Sequence, residues 1–124
     1  MSIRKQSQTF SDNPRDYQNY IDGAFVPAGS ELIEVTNPAT SALLGRIPET
    51  SADDVDAAVK AARAAQGAWE KLPAIERANY LRKISAKLRE HRVELADIIV
   101  KEQGKVRGLA QVEVDFTADY MDYM

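Results

Sequence analysis

The sequence is organised around the stretch from Trp69 to Lys105, in which apolar residues recur at helical spacing. Pro73 suits the first turn of a helix, where its missing N–H would have no partner in any case. Apolar residues then follow at steps of three and four, which places them on one helix face. These residues are Ile75, Ala78, Leu81, Ile84 and Leu88. A second helix with Leu95, Ile98, Ile99 and Glu102 would end at Gly104, a residue that helix C-termini favour. The pattern predicts a tryptophan-anchored helical hairpin.

Short apolar runs before this stretch predict two small β-hairpins in series. Asp22-Gly23 separates the first two runs and is a dipeptide favoured in tight type I′ turns. Leu32–Val35 and Leu43–Ile47 have strand character, with a turn predicted at Asn37-Pro38-Ala39-Thr40 between them. Residues 1–16 are polar and show no periodicity, so we expect a flexible N-terminal arm.

Two further helices are predicted on either side of the helical hairpin. Thr50 and Ser51 are candidate N-caps for the first of them, which we expect to run to about Gln66 and to end at Gly67. The last helix begins near Gly108. Its apolar stripe consists of Val112, Phe116, Tyr120 and Tyr123. The sequence stops at Met124 without a capping residue, which gives this helix an interrupted appearance. The predicted fold class is α+β, with two hairpins followed by about four helices.

Composition narrows the function classes. The chain has 124 residues, of which 44% are hydrophobic and 28% charged, as is typical of a soluble globular protein. Sixteen basic and 19 acidic residues give a net charge of −3, and no basic block predicts a nucleic-acid or anionic-membrane surface. No run is apolar enough for a membrane span or a signal peptide, so we expect a cytoplasmic protein. Cysteine is absent, which excludes disulfides and thiolate chemistry within this chain.

The candidate catalytic and binding motifs are weak. Gln103-Gly104-Lys105-Val106 resembles a phosphate loop but lacks its earlier glycine and its hydroxyl residue, so a helix stop is the better interpretation. Asp115, Asp119 and Asp122 share a helix face, which we interpret as a solvated acidic face rather than a cation site. His91 lies among charged residues near a helix end and is interpreted as a surface residue.

Two other residues have structural interpretations. Trp69 is predicted to be a core anchor that bridges the first and second helices. Arg77 follows Glu76, and we expect a structural ion pair rather than a substrate contact.

Several pieces, in order along the chain, resemble the N-terminal segment of the aldehyde dehydrogenase superfamily. They are Tyr20–Val26, Asn37–Thr40, Ile47-Pro48, Trp69, the Arg77 to Leu81 step, Leu88, Leu95 and Glu102–Lys105. The piece from Val112 to Tyr120 is most similar to the lactaldehyde and glycolaldehyde dehydrogenase branch. The resemblance covers roughly Tyr20 to Met124.

The resemblance implies that residues 17–124 are the incomplete first part of an α/β Rossmann-like cofactor-binding domain. The complete enzymes oxidise small aldehydes with NAD or NADP, using a cysteine nucleophile, an oxyanion-stabilising amide and a glutamate base from later segments. No catalytic, cofactor-binding or metal residue is therefore predicted here. The helix that matches the last one contributes to the mouth of the substrate tunnel, which makes Val112 and Phe116 candidates to contact an aldehyde. Judged from the sequence alone, such a stripe is more often part of a core.

Two functional hypotheses follow. In the first, the chain is a truncated N-terminal piece of an aldehyde dehydrogenase and is inactive alone. In the alternative, it is an interaction module whose exposed apolar helix faces bind a full-length relative, another partner or a second copy. A small self-sufficient enzyme has almost no support, because no nucleophile–base pair or metal cluster is recognisable.

Overall fold

The computed structural model describes residues 14–27, 29 and 31–124. Over this range the chain forms five short strands followed by four helices, which confirms the predicted α+β class. The strands are β1 (Arg15–Asp16), β2 (Asn19–Ile21), β3 (Ala24–Val26), β4 (Leu32–Thr36) and β5 (Leu43–Pro48). The helices are α1 (Ala52–Trp69), α2 (Ala74–Glu90), α3 (Arg92–Gln103) and α4 (Arg107–Tyr123). None of these helices is both long and apolar enough to cross a membrane.

Both predicted hairpins are present. Strands β2 and β3 pair antiparallel, and the turn between them has positive φ at Asp22 (51°) and Gly23 (79°), as a type I′ turn requires. Strands β4 and β5 also pair antiparallel. In their turn the side-chain oxygen of Asn37 accepts hydrogen bonds from the N–H groups of Ala39 (2.8 Å) and Thr40 (3.3 Å). An asparagine at this position therefore fixes the turn through its side chain.

Strand β1 is a correction to the predicted N-terminal arm. Arg15 and Asp16 pair in parallel with Gly45 and Arg46, so the second sheet has the order β1-β5-β4. The arm was predicted to extend to residue 16, and its residues 1–13 lie outside the described part of the chain. Gly45 permits the close approach, because a Cβ there would lie 2.7 Å from the carbonyl oxygen of Arg15 and 2.8 Å from the Tyr17 ring. A two-residue strand has no periodicity by which it could be recognised.

Helix α1 begins as predicted but ends later. Ser51 is the N-cap, and its hydroxyl accepts a hydrogen bond from the N–H of Asp54 (3.1 Å). The predicted stop at Gly67 is wrong, because the N–H of Glu70 still donates to the carbonyl of Gln66 and the helix continues to Trp69. A glycine stops a helix only when the chain turns left-handed there, and at Gly67 it does not.

The junction between α1 and α2 differs in detail from the prediction. The Trp69 ring does bridge the two helices, with its centroid 5.2 Å from that of Tyr80. It is 42% exposed, however, and so it is not a core anchor. The guanidinium of Arg77 donates to the carbonyls of Leu72 (2.6 Å) and Glu70 (3.2 Å), where the sequence suggested an ion pair with Glu76. Arg77 thus stabilises the end of α1 and the loop that follows.

The core lies where α4 packs on α2 and α3. Its buried members among the described residues are small: Ala96, Ala110, Val114 and Ala118, with Ser85 of α2 beside them. The predicted apolar face of α2 is therefore rotated. Ile75 and Ile84 are exposed, Ser85 is fully buried, and Leu81 and Leu88 are half-buried. Small side chains on both helices allow a close approach, which a face built from isoleucines would prevent.

The end of α3 confirms the predicted helix stop. Gly104 has φ 68° and ψ 17°, and its N–H donates to the carbonyl of Val100 (3.0 Å). The Cγ of Pro38 would lie 3.2 Å from a Cβ at this glycine. The turn of the β4–β5 hairpin is therefore seated against the end of α3.

Candidate functional site

Helix α4 has two faces of opposite character. Its inward face consists of the buried residues Ala110, Val114 and Ala118. On its other side lie large apolar residues that are exposed to solvent, which we call the α4 outer face. The residues of the α4 outer face are Leu109, Val112, Phe116, Tyr120 and Tyr123. Their spacings of three, four, four and three keep them on one side of the helix. The stripe is therefore not core, although core was the commoner interpretation of its sequence.

The two tunnel candidates belong to this face and lie one turn apart. Val112 is 60% exposed and Phe116 is 69% exposed. The Phe116 ring stacks on Tyr120, with centroids 6.4 Å apart and planes inclined by 21°. The result is a continuous apolar strip. Leu109 extends the strip by a further turn and was missed in the sequence reasoning, although its position three residues before Val112 continues the spacing.

Ion pairs fix the orientation of α4. Asp115 accepts two hydrogen bonds from the guanidinium of Arg92, at 2.6 and 2.7 Å. Arg89 pairs with Asp119 (2.7 Å) and Asp122 (2.8 Å). The three aspartates were interpreted as a solvated acidic face, and their side chains are indeed 40% to 71% exposed. The interpretation missed their arginine partners, through which they join α4 to the end of α2 and the start of α3.

These contacts change the pKa values of the groups involved. The hydrogen bonds from Arg92 lower the pKa of Asp115, because they favour its charged form. Hydrogen bonds from Ser85 and then Arg89 lower the pKa of Asp122. Hydrogen bonds to Asp119 and then Asp122 raise the pKa of Arg89, and the hydrogen bonds to Asp115 raise the pKa of Arg92. All four groups are therefore held in their charged forms at neutral pH.

The other charged residues of α4 are also paired. Lys105 binds Glu113, and Arg107 binds Asp97. Because Lys105 is engaged with a carboxylate and Gly104 caps α3, the structure supports the helix-stop interpretation of the Gln103-Gly104-Lys105 motif. The five residues of the α4 outer face are themselves uncharged, so its chemistry is that of an apolar surface with two phenol groups, with Glu113 and Asp119 at its edges.

A cavity of about 400 Å³ lies between the β1-β5-β4 sheet and α3. Apolar side chains form most of its lining, which also includes Tyr17, Asn37, Lys101 and Glu102. The apolar wall is formed mainly by Val35, Leu43, Leu44, Ile47 and Ile98. Val112 and Phe116 do not border it. Sequence reasoning missed this cavity because its wall comes from three separate elements.

His91 lies at the junction of α2 and α3, half-exposed, with Nδ1 2.9 Å from a carboxylate oxygen of Glu94. It borders a shallow apolar groove with Tyr80, Ile84 and Leu88. Within the described residues, no group of three or more histidine, aspartate or glutamate side chains is placed to hold a metal ion. His91 is a surface residue, as the sequence predicted.

The chain consists of two β-hairpins followed by four helices. This arrangement is that of the first part of a Rossmann-like α/β cofactor-binding domain. More specifically, the chain belongs to the aldehyde dehydrogenase family, which it matches over residues 25–124.

Individual relatives agree with this assignment. Lactaldehyde dehydrogenase from Escherichia coli (strain K12) is 54% identical over 112 residues, which are 90% of this chain and 23% of the relative. A crystal structure of lactaldehyde dehydrogenase from Escherichia coli has a TM-score of 0.87 over 90% of this chain and 24% of its own. The structure is also similar to that of an NAD-dependent aldehyde dehydrogenase from Sinorhizobium meliloti, with a TM-score of 0.84 and 35% identity over 90% of this chain and 23% of that one. A structure of an NADP-dependent Escherichia coli enzyme has a TM-score of 0.84 and 38% identity over 87% of this chain and 23% of its own. The chain thus spans about a quarter of the length of these relatives.

Proposed function

We propose that this chain acts as the N-terminal part of an NAD(P)-dependent aldehyde dehydrogenase that oxidises small hydroxyaldehydes, such as lactaldehyde or glycolaldehyde, to carboxylates. The observation that carries the proposal is the likeness to E. coli lactaldehyde dehydrogenase, in both sequence and backbone, over nearly the whole chain. The family match, over residues 25–124, includes α4, whose outer face is an exposed apolar surface. A cytoplasmic location is part of the same proposal.

Within such an enzyme we assign Val112 and Phe116 to the mouth of the aldehyde tunnel. Their exposure and their position on one strip of α4 support this role. An apolar wall without charges would accept the carbon skeleton of a small aldehyde while leaving its carbonyl free to react elsewhere. The ion pairs of Arg89 and Arg92 would hold the wall in a fixed orientation.

We expect that the described residues do not bind a nicotinamide dinucleotide on their own. The N-terminus of α1, where a pyrophosphate could bind, carries Asp53 and Asp54 in its first turn. Lys105 and Arg107, which flank the start of α4, are each paired with a carboxylate. Binding of NAD or NADP would therefore depend on other parts of the enzyme.

The chain alone is expected to be inactive. Aldehyde oxidation in this family proceeds through a cysteine thiolate, and the sequence has no cysteine. A direct assay of the pure chain with glycolaldehyde or lactaldehyde and either dinucleotide should show no reduced cofactor.

A chimaera tests the proposed function. The 112 matched residues of E. coli lactaldehyde dehydrogenase would be replaced by the corresponding residues of this chain, and lactaldehyde oxidation would be followed by cofactor absorbance. We expect a soluble enzyme that oxidises lactaldehyde within about tenfold of the parent rate, since no catalytic group is exchanged. A folded chimaera that binds the dinucleotide but leaves lactaldehyde untouched would contradict the proposal.

A further inference from the structure

The turn between β2 and β3 joins two residues that can react with each other. Asp22 is the only aspartate in the sequence that is followed by glycine, and no asparagine is followed by glycine. A glycine in the next position has no side chain to shield its backbone nitrogen from the aspartate carboxyl group. Attack of that nitrogen on the carboxyl carbon closes a five-membered ring. The dipeptide that forms this turn is therefore also the pair of residues best suited to cyclise.

The structure leaves both reacting groups accessible. Asp22 and Gly23 are exposed, and among the described residues none pairs with the Asp22 carboxylate. The closing pair of the hairpin is Ile21 and Ala24, so the N–H of Gly23 lies outside the hydrogen bonds of the strands. A Cβ added at Gly23 would meet no described atom within 4 Å. The carboxyl group therefore has room to approach the Gly23 nitrogen.

The hairpin around this turn is weakly held. Strands β2 and β3 form a sheet of three residue pairs that is separate from the β1-β5-β4 sheet. An isolated two-stranded hairpin is marginally stable in water, so we expect the turn to open locally. Asp22 also has a positive φ of 51°, a conformation that costs energy for a residue with a side chain. Opening relieves this strain at the residue that has to rotate for the ring to close.

We propose that Asp22-Gly23 is a modification site, at which Asp22 isomerises spontaneously to isoaspartate. The Gly23 nitrogen bonds to the side-chain carboxyl carbon of Asp22, and the carboxyl oxygen leaves as water with the carboxyl proton and the amide proton. Water then adds to the main-chain carbonyl of the succinimide, and the bond from this carbon to the nitrogen breaks. The chain now continues through the side chain, and the α-carboxylate is free. One water leaves and one returns, so the mass is unchanged and no oxidant or reductant is needed.

The modification lengthens the turn by one backbone atom. A two-residue turn fixes the register of the strands that it joins. In the unmodified hairpin this register places the rings of Tyr20 and Phe25 in contact, with centroids 5.1 Å apart. It also allows the side-chain amide of Asn19 to donate to the hydroxyl of Thr50 (2.9 Å), just before α1. Isomerisation at Asp22 therefore breaks the ring contact and separates β2 from the start of α1.

Incubation of the pure chain at neutral pH tests the proposal. Peptide mapping with electron-transfer fragmentation distinguishes the two isomers, and a methyltransferase that esterifies isoaspartyl carboxylates measures their amount. We expect isoaspartate to accumulate at position 22 at least about tenfold faster than at any other aspartate, since glycine follows only there. Asp22→Gly should abolish the methylation signal but keep the turn, because Gly-Gly also suits type I′. Asp56→Glu, at another exposed aspartate, is the matched control and should leave the signal unchanged.

A peptide of residues 18–27 provides the rate in the absence of the fold. We expect the folded chain to react within about tenfold of this peptide, since the hairpin opens at low cost. A folded chain that reacts more slowly than that would overturn the proposal, because the turn would then protect the dipeptide. Isoaspartate spread evenly over the aspartates, or an unchanged methylation signal in Asp22→Gly, would also overturn it. Persistence of the nuclear Overhauser contact between Tyr20 and Phe25 in the modified chain would contradict the separation of β2.

Discussion

The side chain of Phe116 lies on the open side of a helix whose opposite side is packed. Its only described aromatic neighbour is Tyr120, so most of the ring remains in contact with water. Fully burying a phenylalanine side chain contributes roughly 1.5–3 kcal/mol. This gain is not realised in the isolated chain and becomes available when the α4 outer face is covered.

Substitution of Phe116 in the chimaera tests its place at the substrate tunnel. Phe116→Ala removes an apolar wall, and we expect kcat/KM for glycolaldehyde to fall by about tenfold, with longer aldehydes less affected. Ile75→Ala, a truncation of a similarly exposed residue outside the face, should leave the preference unchanged. Steady-state kinetics on a series of aldehydes would measure both. An unaltered preference in Phe116→Ala would remove this residue from the substrate path.

Helix α4 is held in place by small apolar side chains on its inward face and by charged side chains on its flank. Ala110, Val114 and Ala118 allow close packing, and the aspartates on the flank reach Arg89 and Arg92 at the α2–α3 junction. Exposed ion pairs each contribute little at moderate salt. Several pairs along one helix nevertheless specify its rotation, because any turn about the helix axis would break them together. The direction of the α4 outer face follows from that rotation.

The same ion pairs predict a dependence of stability on acidity. The pKa values of Asp115 and Asp122 are lowered in the folded chain from the ordinary value of 3.8. A lowered pKa means that their stabilising contribution is fully present above that ordinary value and is lost as the pH falls through the lower, folded-state value. We expect the urea midpoint to decline in acid below about pH 4, more steeply for the unmodified chain than for Asp115→Asn. Asp56→Asn, on the exposed helix α1, should instead follow the unmodified chain. Equal acid sensitivity in all three would show that the Asp115 pair contributes nothing.

For the whole molecule, local signals in the sequence predicted much of the backbone. Asp22-Gly23, Ser51 and Gly104 each fix a turn or a helix end through their own bonds or φ angles, and all three were identified correctly. What was missed depends on contacts between distant residues. The pairing of Arg15 with Gly45 and the burial of Ser85 cannot be seen in a window of neighbouring residues.

For the candidate site, too, the sequence predicted the local features and missed those that depend on distant residues. The family resemblance and the helical spacing identified Val112 and Phe116 as one strip, and the structure places them together. Their exposure was not predictable, since an apolar stripe has the same spacing whether it faces a core or solvent. The ion pairs of the three aspartates were also missed, because their arginine partners lie 23 to 33 positions earlier in the sequence. The cavity beside α3 was missed because residues from three separate elements line it.

The central claim is that Val112, which is exposed on the α4 outer face of this chain, lies at the mouth of the aldehyde tunnel in the proposed enzyme. The absence of cysteine allows a direct measurement, because Val112→Cys introduces a single thiol on that face and Ile75→Cys a single thiol elsewhere. Labelling by a soluble thiol reagent, located by peptide mass spectrometry, would be followed in the chimaera with and without lactaldehyde, in the absence of dinucleotide. The account predicts that saturating lactaldehyde slows labelling at position 112 by about tenfold and leaves labelling at position 75 unchanged. Labelling at position 112 that lactaldehyde does not slow in an active chimaera would contradict it.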